Sequence, residues 1–104
     1  MAFQIEITPT ALEALGSVTD RRTRSAIVRR IDALGDEPEK LGKPLRGWLA
    51  GFLSVRAAGQ RYRVVYRVDI ARKRVLVYMV GLRREGSRKD VYALAEQLVQ
   101  RGLI

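Results

Sequence analysis

The chain has no cysteine and no histidine among its 104 residues. Without cysteine it can form neither a disulfide nor a thiolate metal site. Without histidine it loses the side chain whose ordinary pKa lies nearest neutrality, and with it most transition-metal sites and histidine-based acid–base catalysis. The carboxylates show no metal-ligand spacing, so no metal and no cofactor is expected. No apolar run approaches the ~18 residues of a membrane span. The N-terminal MAFQIEIT alternates like a strand and lacks the apolar segment of a secretory signal, so the expected setting is the cytoplasm. The glycines around GKPLRG do not have the spacing of a phosphate-binding loop.

Lysine is also scarce: of 20 basic residues 16 are Arg and 4 are Lys. A GC-rich genome accounts for such a ratio but not for the net charge of +9. That charge is unevenly placed. Residues 1–39 carry 5 basic and 7 acidic side chains, whereas residues 40–104 carry 15 and 4. The basic half points to a polyanionic partner, and nucleic acid is the commonest one. A composition of 47% apolar and 30% charged residues describes one globular domain over residues 1–104.

Phe3, Ile5 and Ile7 alternate with polar neighbours and predict a half-buried first strand. Thr8-Pro9 then supplies a helix N-cap and a first-turn proline. Ala11, Leu12 and Leu15 form that helix's apolar stripe, and Gly16 ends it. A second helix starts at Thr19 or Asp20, with Ala26, Ile27, Ile31 and Leu34 at helical spacing. Residues 39–51 hold Pro44, Gly42, Gly47, Gly51 and Trp48 and read as a loop, with Trp48 expected to pack inward. Three strands follow at about 52–57, 61–69 and 74–82, joined by turns too short for anything but antiparallel neighbours. A last helix is expected over 87–100. The order β-α-α-β-β-β-α is of the α+β class. It predicts an antiparallel sheet, a meander plus the N-terminal strand, with a helical hairpin on one face and a C-terminal helix.

The strand over 61–69 is the most informative segment. Arg61, Arg63, Val65 and Arg67 fall on one face, and Tyr62, Val64, Tyr66 and Val68 on the other. One face is therefore cationic. Phe52, Ser54 and Arg56 share a face of the preceding strand, and Arg83 continues the row Val75, Val77, Met79, Gly81. Together these rows predict a partly open sheet face with arginines around a shallow groove.

Three segments resemble the RelE/ParE superfamily of toxin–antitoxin toxins: KPLRGWLAGFLSVR, RYRVVYRVD, and VYMVGLRRE followed by DVY. The resemblance spans essentially the whole chain and favours the RelE-like branch. It implies a metal-independent mRNA endonuclease that cuts ribosome-bound mRNA, in which the 2′-hydroxyl attacks the adjacent phosphate. It implies a cognate antitoxin, mRNA and the ribosome as partners, and neither a membrane nor a small-molecule cofactor. Arg63, Arg83 and Tyr92 match the family's catalytic positions. Two lysines often found on the first meander strand fall on Phe52 and Ser54, so the resemblance carries no general base here. The ParE-like alternative is a DNA gyrase inhibitor without nuclease activity, and a non-catalytic RNA-binding module is a third reading.

Arg63 and Arg83 suit the stabilisation of negative charge gathering on a phosphate in its transition state. Tyr92 either packs the last helix on the sheet or stacks on an mRNA base; an ordinary phenol is a poor base at neutral pH. Arg46, Arg56, Arg61, Arg84, Arg88 and Lys89 are candidate RNA-phosphate contacts. Glu85 is a candidate proton acceptor or an ion-pair partner for a nearby arginine.

Overall fold

The computed structural model describes residues 2–104. Strand β1 (Gln4–Ile7) leads into a helical hairpin of α1 (Pro9–Gly16) and α2 (Arg21–Ala33). Thr8 caps α1, its hydroxyl accepting from the Ala11 N–H at 3.2 Å. The segment expected to be a loop contains the short helix α3 (Pro38–Leu41), the two-residue strand β2 (Lys43–Pro44) and a single 3₁₀ turn, Gly47–Leu49. The meander follows as β3 (Leu53–Ala57), β4 (Tyr62–Asp69) and β5 (Arg74–Leu82), and α4 (Val91–Gln100) closes the chain. This last helix starts later than expected because Asp90, not Ser87, is its N-cap: its carboxylate accepts from the Tyr92 N–H at 3.1 Å.

The five strands lie in the order β1-β5-β4-β3-β2. The meander is antiparallel throughout, but β1 runs parallel to β5. The sheet is mixed, and the wholly antiparallel expectation is corrected. The helical hairpin between β1 and the meander is long enough to carry the chain across to the far edge of the sheet, which tight turns cannot do. The returning meander then brings β5 alongside β1 in the same direction.

One face of the sheet packs on the helical hairpin. Ala11, Leu15, Ile27, Ile31 and Leu34 meet Val55, Val64, Tyr66, Val75, Val77 and Val80 there. Tyr66 is wholly buried in this layer, and its hydroxyl donates to the Pro38 carbonyl at 2.7 Å. Burial of each such side chain contributes roughly 1.5–3 kcal/mol.

The other face is less open than the arginine pattern suggests. Helix α4 lies across its middle and makes a second core with Leu49, Phe52, Val65, Met79, Val91 and Ala95. The helix comes close at Gly81, where a Cβ would meet the Val91 side chain at 3.4 Å, an ordinary van der Waals contact. Val65 is wholly buried, so the row Arg61, Arg63, Val65, Arg67 is not one cationic groove. Arg63 lies on one side of the Val65 cluster. Arg67 lies on the other, its guanidinium 4.8 Å from the centre of the Phe52 ring.

The expected row Val75, Val77, Met79, Gly81 is also broken. Val65 pairs with Met79 and Tyr66 with Val77, so Tyr78 is an extra residue in β5. This bulge reverses the alternation. Val75 and Val77 face the helical hairpin, whereas Met79 joins the second core.

Candidate functional site

Strand register brings the cleft together. Lys43 pairs with Ser54, which pairs with Val65; two residues along, on the same face, Arg56 pairs with Arg63, which pairs with Gly81. Side chains so paired stand about 5 Å apart on one face. The bulge at Tyr78 turns the end of β5 onto the same face and delivers Arg83. The result is a cleft of about 310 Å³ lined by Lys43, Ser54, Arg56, Arg63, Arg83, Glu85 and Tyr92.

Arg56 and Arg63 directly oppose each other, a pairing that repels unless an anion lies between them. Neither forms an ion pair among the described residues. Both lean on the turn residue Gln60: Arg56 Nη1 donates to its side-chain Oε1 at 3.1 Å, and Arg63 Nη1 donates to its backbone carbonyl at 2.5 Å. Their charge is oriented and uncompensated.

Arg83 is held differently. Its Nη1 lies 2.7 Å from Asp90 Oδ2 and its Nη2 3.1 Å from Glu85 Oε1. Its guanidinium lies 4.7 Å from the centre of the Tyr92 ring. The Asp90 hydrogen bond, more than any other influence, raises the Arg83 pKa above its ordinary value, so the cation is permanent.

Asp90 is 4% exposed and also accepts from the Arg84 N–H at 2.6 Å. Burial pushes its carboxyl upward, but the Arg83 bond and the Arg84 and Tyr92 amides outweigh that and hold it below the usual carboxylate range. One buried carboxylate thus caps α4 and fixes Arg83.

Tyr92 neither lies buried nor swings free. Its hydroxyl is 2.8 Å from Ser54 Oγ, and either oxygen can be the donor. Arg63, Arg83, Tyr92 and Arg56 meet in the cleft. Arg46 lines an adjoining groove, which Arg83 and Tyr92 also line. Arg61, Arg84, Arg88 and Lys89 are exposed and line neither. Glu85 pairs with Arg83, as one of its two readings held.

The sequence reading missed Lys43, Asp90 and the exposure of Trp48. Lys43 stands opposite Ser54, beside the position where the superfamily pattern placed a lysine. Nothing in the sequence signals this, because β2 is only two residues long. Asp90 could have been found: it immediately precedes the apolar run of α4, the ordinary place for an N-cap. Trp48 is 59% exposed, since its 3₁₀ turn sends Leu49 into the second core instead.

No protein-family model matches the chain. Over 92 residues it is 32% identical to Toxin RelG of Mycobacterium tuberculosis, covering 88% of this chain and 98% of the relative. It is 31% identical to Toxin RelE of the same organism over 88 residues, 85% of this chain and 89% of the relative. This chain belongs to the RelE family of toxins. The toxin fold agrees with a solved one: the crystal structure of the RelBE2 toxin–antitoxin complex from M. tuberculosis matches with a TM-score of 0.71 at 33% identity. That match covers 80% of this chain and all of the compared one. In this RelE-family toxin Lys43 stands opposite Ser54 at the edge of the arginine cleft. Among its described residues no helix is long and apolar enough to cross a membrane.

Proposed function

We propose that this toxin is an endoribonuclease that cuts ribosome-bound mRNA without a metal ion and is neutralised by a cognate antitoxin. The observation that carries the reading is the convergence of Arg56, Arg63 and Arg83 with the Ser54–Tyr92 hydroxyl pair in one cleft. The cleft includes a single carboxylate, Glu85, already engaged by Arg83, which suits an anion better than a cation.

The reaction is an internal transesterification. The 2′-oxygen of one nucleotide bonds to the adjacent phosphorus, and the bond from phosphorus to the 5′-oxygen breaks. The products are a 2′,3′-cyclic phosphate and a 5′-hydroxyl. The attacking hydroxyl loses a proton and the leaving oxygen gains one. Arg56, Arg63 and Arg83 surround the phosphate as it gathers negative charge. Arginine suits this because its guanidinium can grip two phosphate oxygens together. Arg83 is fixed before substrate arrives, so reorganisation costs little at the moment of reaction. Lys43, Tyr92 and Glu85 are the cleft groups able to exchange protons. The antitoxin partner is proposed from the toxin–antitoxin assembly of the similar structure.

Purified toxin incubated separately with translating ribosomes and with DNA gyrase tests the assignment. New mRNA 5′ ends with unimpaired supercoiling support it. Gyrase inhibition without new ends supports the ParE-like alternative.

A further inference from the structure

We propose that Trp48 is a stacking platform for an unpaired RNA base next to the phosphate held in the arginine cleft. This rests on RNA being the ligand of that cleft. Trp48 is the largest exposed apolar side chain of the toxin, at 59%. Its turn is nonetheless firmly held: Leu49 is buried, its N–H donates to the Arg46 carbonyl at 3.1 Å, and the Phe52 N–H donates to the Leu49 carbonyl at 3.0 Å. A held turn that anchors Leu49 and projects an indole presents an aromatic face whose backbone needs no ordering on binding.

The indole borders a groove of about 480 Å³ that continues the cleft, because Arg83 and Tyr92 line both. Arg46 adds a cation there that makes no ion pair among the described residues. An aromatic face beside cations, in a groove that shares Arg83 and Tyr92 with the cleft, is the arrangement that holds single-stranded nucleic acid. A nucleotide offers both a flat π-face for Trp48 and a phosphate for Arg46. Glu96 lines the groove with a carboxylate that can accept from an exocyclic amine, which would favour bases that carry one.

Trp48 is the only tryptophan, so its fluorescence reads the platform directly. The probe is a short 2′-O-methyl oligoribonucleotide, which cannot be cut by 2′-hydroxyl attack, compared with an abasic oligomer of equal phosphate count. The base-bearing oligomer should quench Trp48 and the abasic one should not. By anisotropy of a labelled oligomer, Trp48→Ala should weaken binding roughly five- to a hundredfold, and Trp48→Phe should retain most of it. Equal responses to both oligomers, or unchanged affinity in Trp48→Ala, overturns the proposal. So does an indole indifferent to oligomer yet shielded from acrylamide in a toxin–antitoxin complex, which assigns the surface to the protein partner. A toxin that binds through Trp48 but cuts nothing loses the nuclease reading and keeps the platform. One that cuts equally well as Trp48→Ala does the reverse.

Discussion

The Arg83 guanidinium lies 4.7 Å from the centre of the Tyr92 ring while its two amino groups reach Asp90 and Glu85. The arginine that faces the cleft is thus also part of the packing between β5 and α4. Arg63 is not: it bonds only to the backbone of the turn beside it. The two therefore separate catalysis from stability. Arg63→Ala should slow RNA cleavage on the order of a hundredfold to a thousandfold, by analogy with removing an oxyanion donor, with little change in denaturant midpoint. Arg83→Ala should slow cleavage similarly and also cost about 1–3 kcal/mol, because Asp90 is left buried without its cation. Cleavage kinetics paired with urea melts check both.

Asp90→Asn separates the two duties of that carboxylate. Asparagine is as good an N-cap as aspartate, so its one acceptor oxygen should keep α4 capped, at the loss of the Arg84 N–H bond. The charge on Arg83 loses its buried partner and keeps only the exposed Glu85. Because the Asp90 carboxyl sits below its ordinary range in the folded toxin, its contribution is present above the unfolded value near ~3.9 and is lost as pH falls through the lower folded value. Urea melts between pH 2 and 7 should show a shallower acid loss in Asp90→Asn than in the parent. Parallel acid profiles would contradict this.

Tyr66 reports the opposite core. Its burial, above all, pushes its phenol up to about 12. The folded toxin therefore favours the neutral phenol: the contribution is complete below the unfolded value of about 10 and disappears as pH rises toward the folded one. Tyr66→Phe should lose about 1–3 kcal/mol, by stranding the Pro38 carbonyl, and should show a flatter alkaline profile. Tyr66→Ala should lose roughly 3–5 kcal/mol.

Gly42 packs against the same phenol. A Cβ at Gly42 would collide with the Tyr66 hydroxyl and ring carbon and press on Leu53. Gly42→Ala should cost about 1–3 kcal/mol, as overpacking does. Restoration of stability in the Gly42→Ala, Tyr66→Phe pair, relative to the sum of the single changes, would confirm the shared contact.

Lys43 provides the ammonium of the cleft. Lys43→Ala and Arg56→Ala should each lower oligonucleotide affinity and reduce the log–log salt slope by about one, as loss of a phosphate contact does. Lys43→Ala, Ser54→Lys moves the ammonium across the β2–β3 pair and should recover the slope. An unchanged slope in Lys43→Ala would remove Lys43 from the phosphate contacts.

Much of this was legible in the sequence because it is periodic. The alternation of Tyr62, Val64, Tyr66 and Val68 fixes the core face of β4, and the capping signals at Thr8 and Asp20 place both helices of the hairpin. What the sequence hid is non-periodic or non-local. The bulge at Tyr78 has no glycine to announce it, yet it decides the face on which Arg83 emerges. Val65 reads as a gap in an arginine row until α4, some thirty residues later, is laid over it. Lys43 enters the cleft through a strand too short to show a pattern. The parallel pairing of β1 depends on where the chain returns, not on β1 itself.

The most direct test is the chemistry of the ends produced when purified toxin meets ribosome-bound mRNA, with a matched mRNA carrying a single 2′-deoxy sugar at the cut position. Attack by the 2′-oxygen predicts a 2′,3′-cyclic phosphate and a 5′-hydroxyl from the all-ribose message, no cut at the deoxy position, and both products forming on the order of a hundredfold to a thousandfold more slowly with Arg63→Ala. Cleavage at the deoxy position, 5′-phosphate ends, or intact mRNA throughout would contradict it.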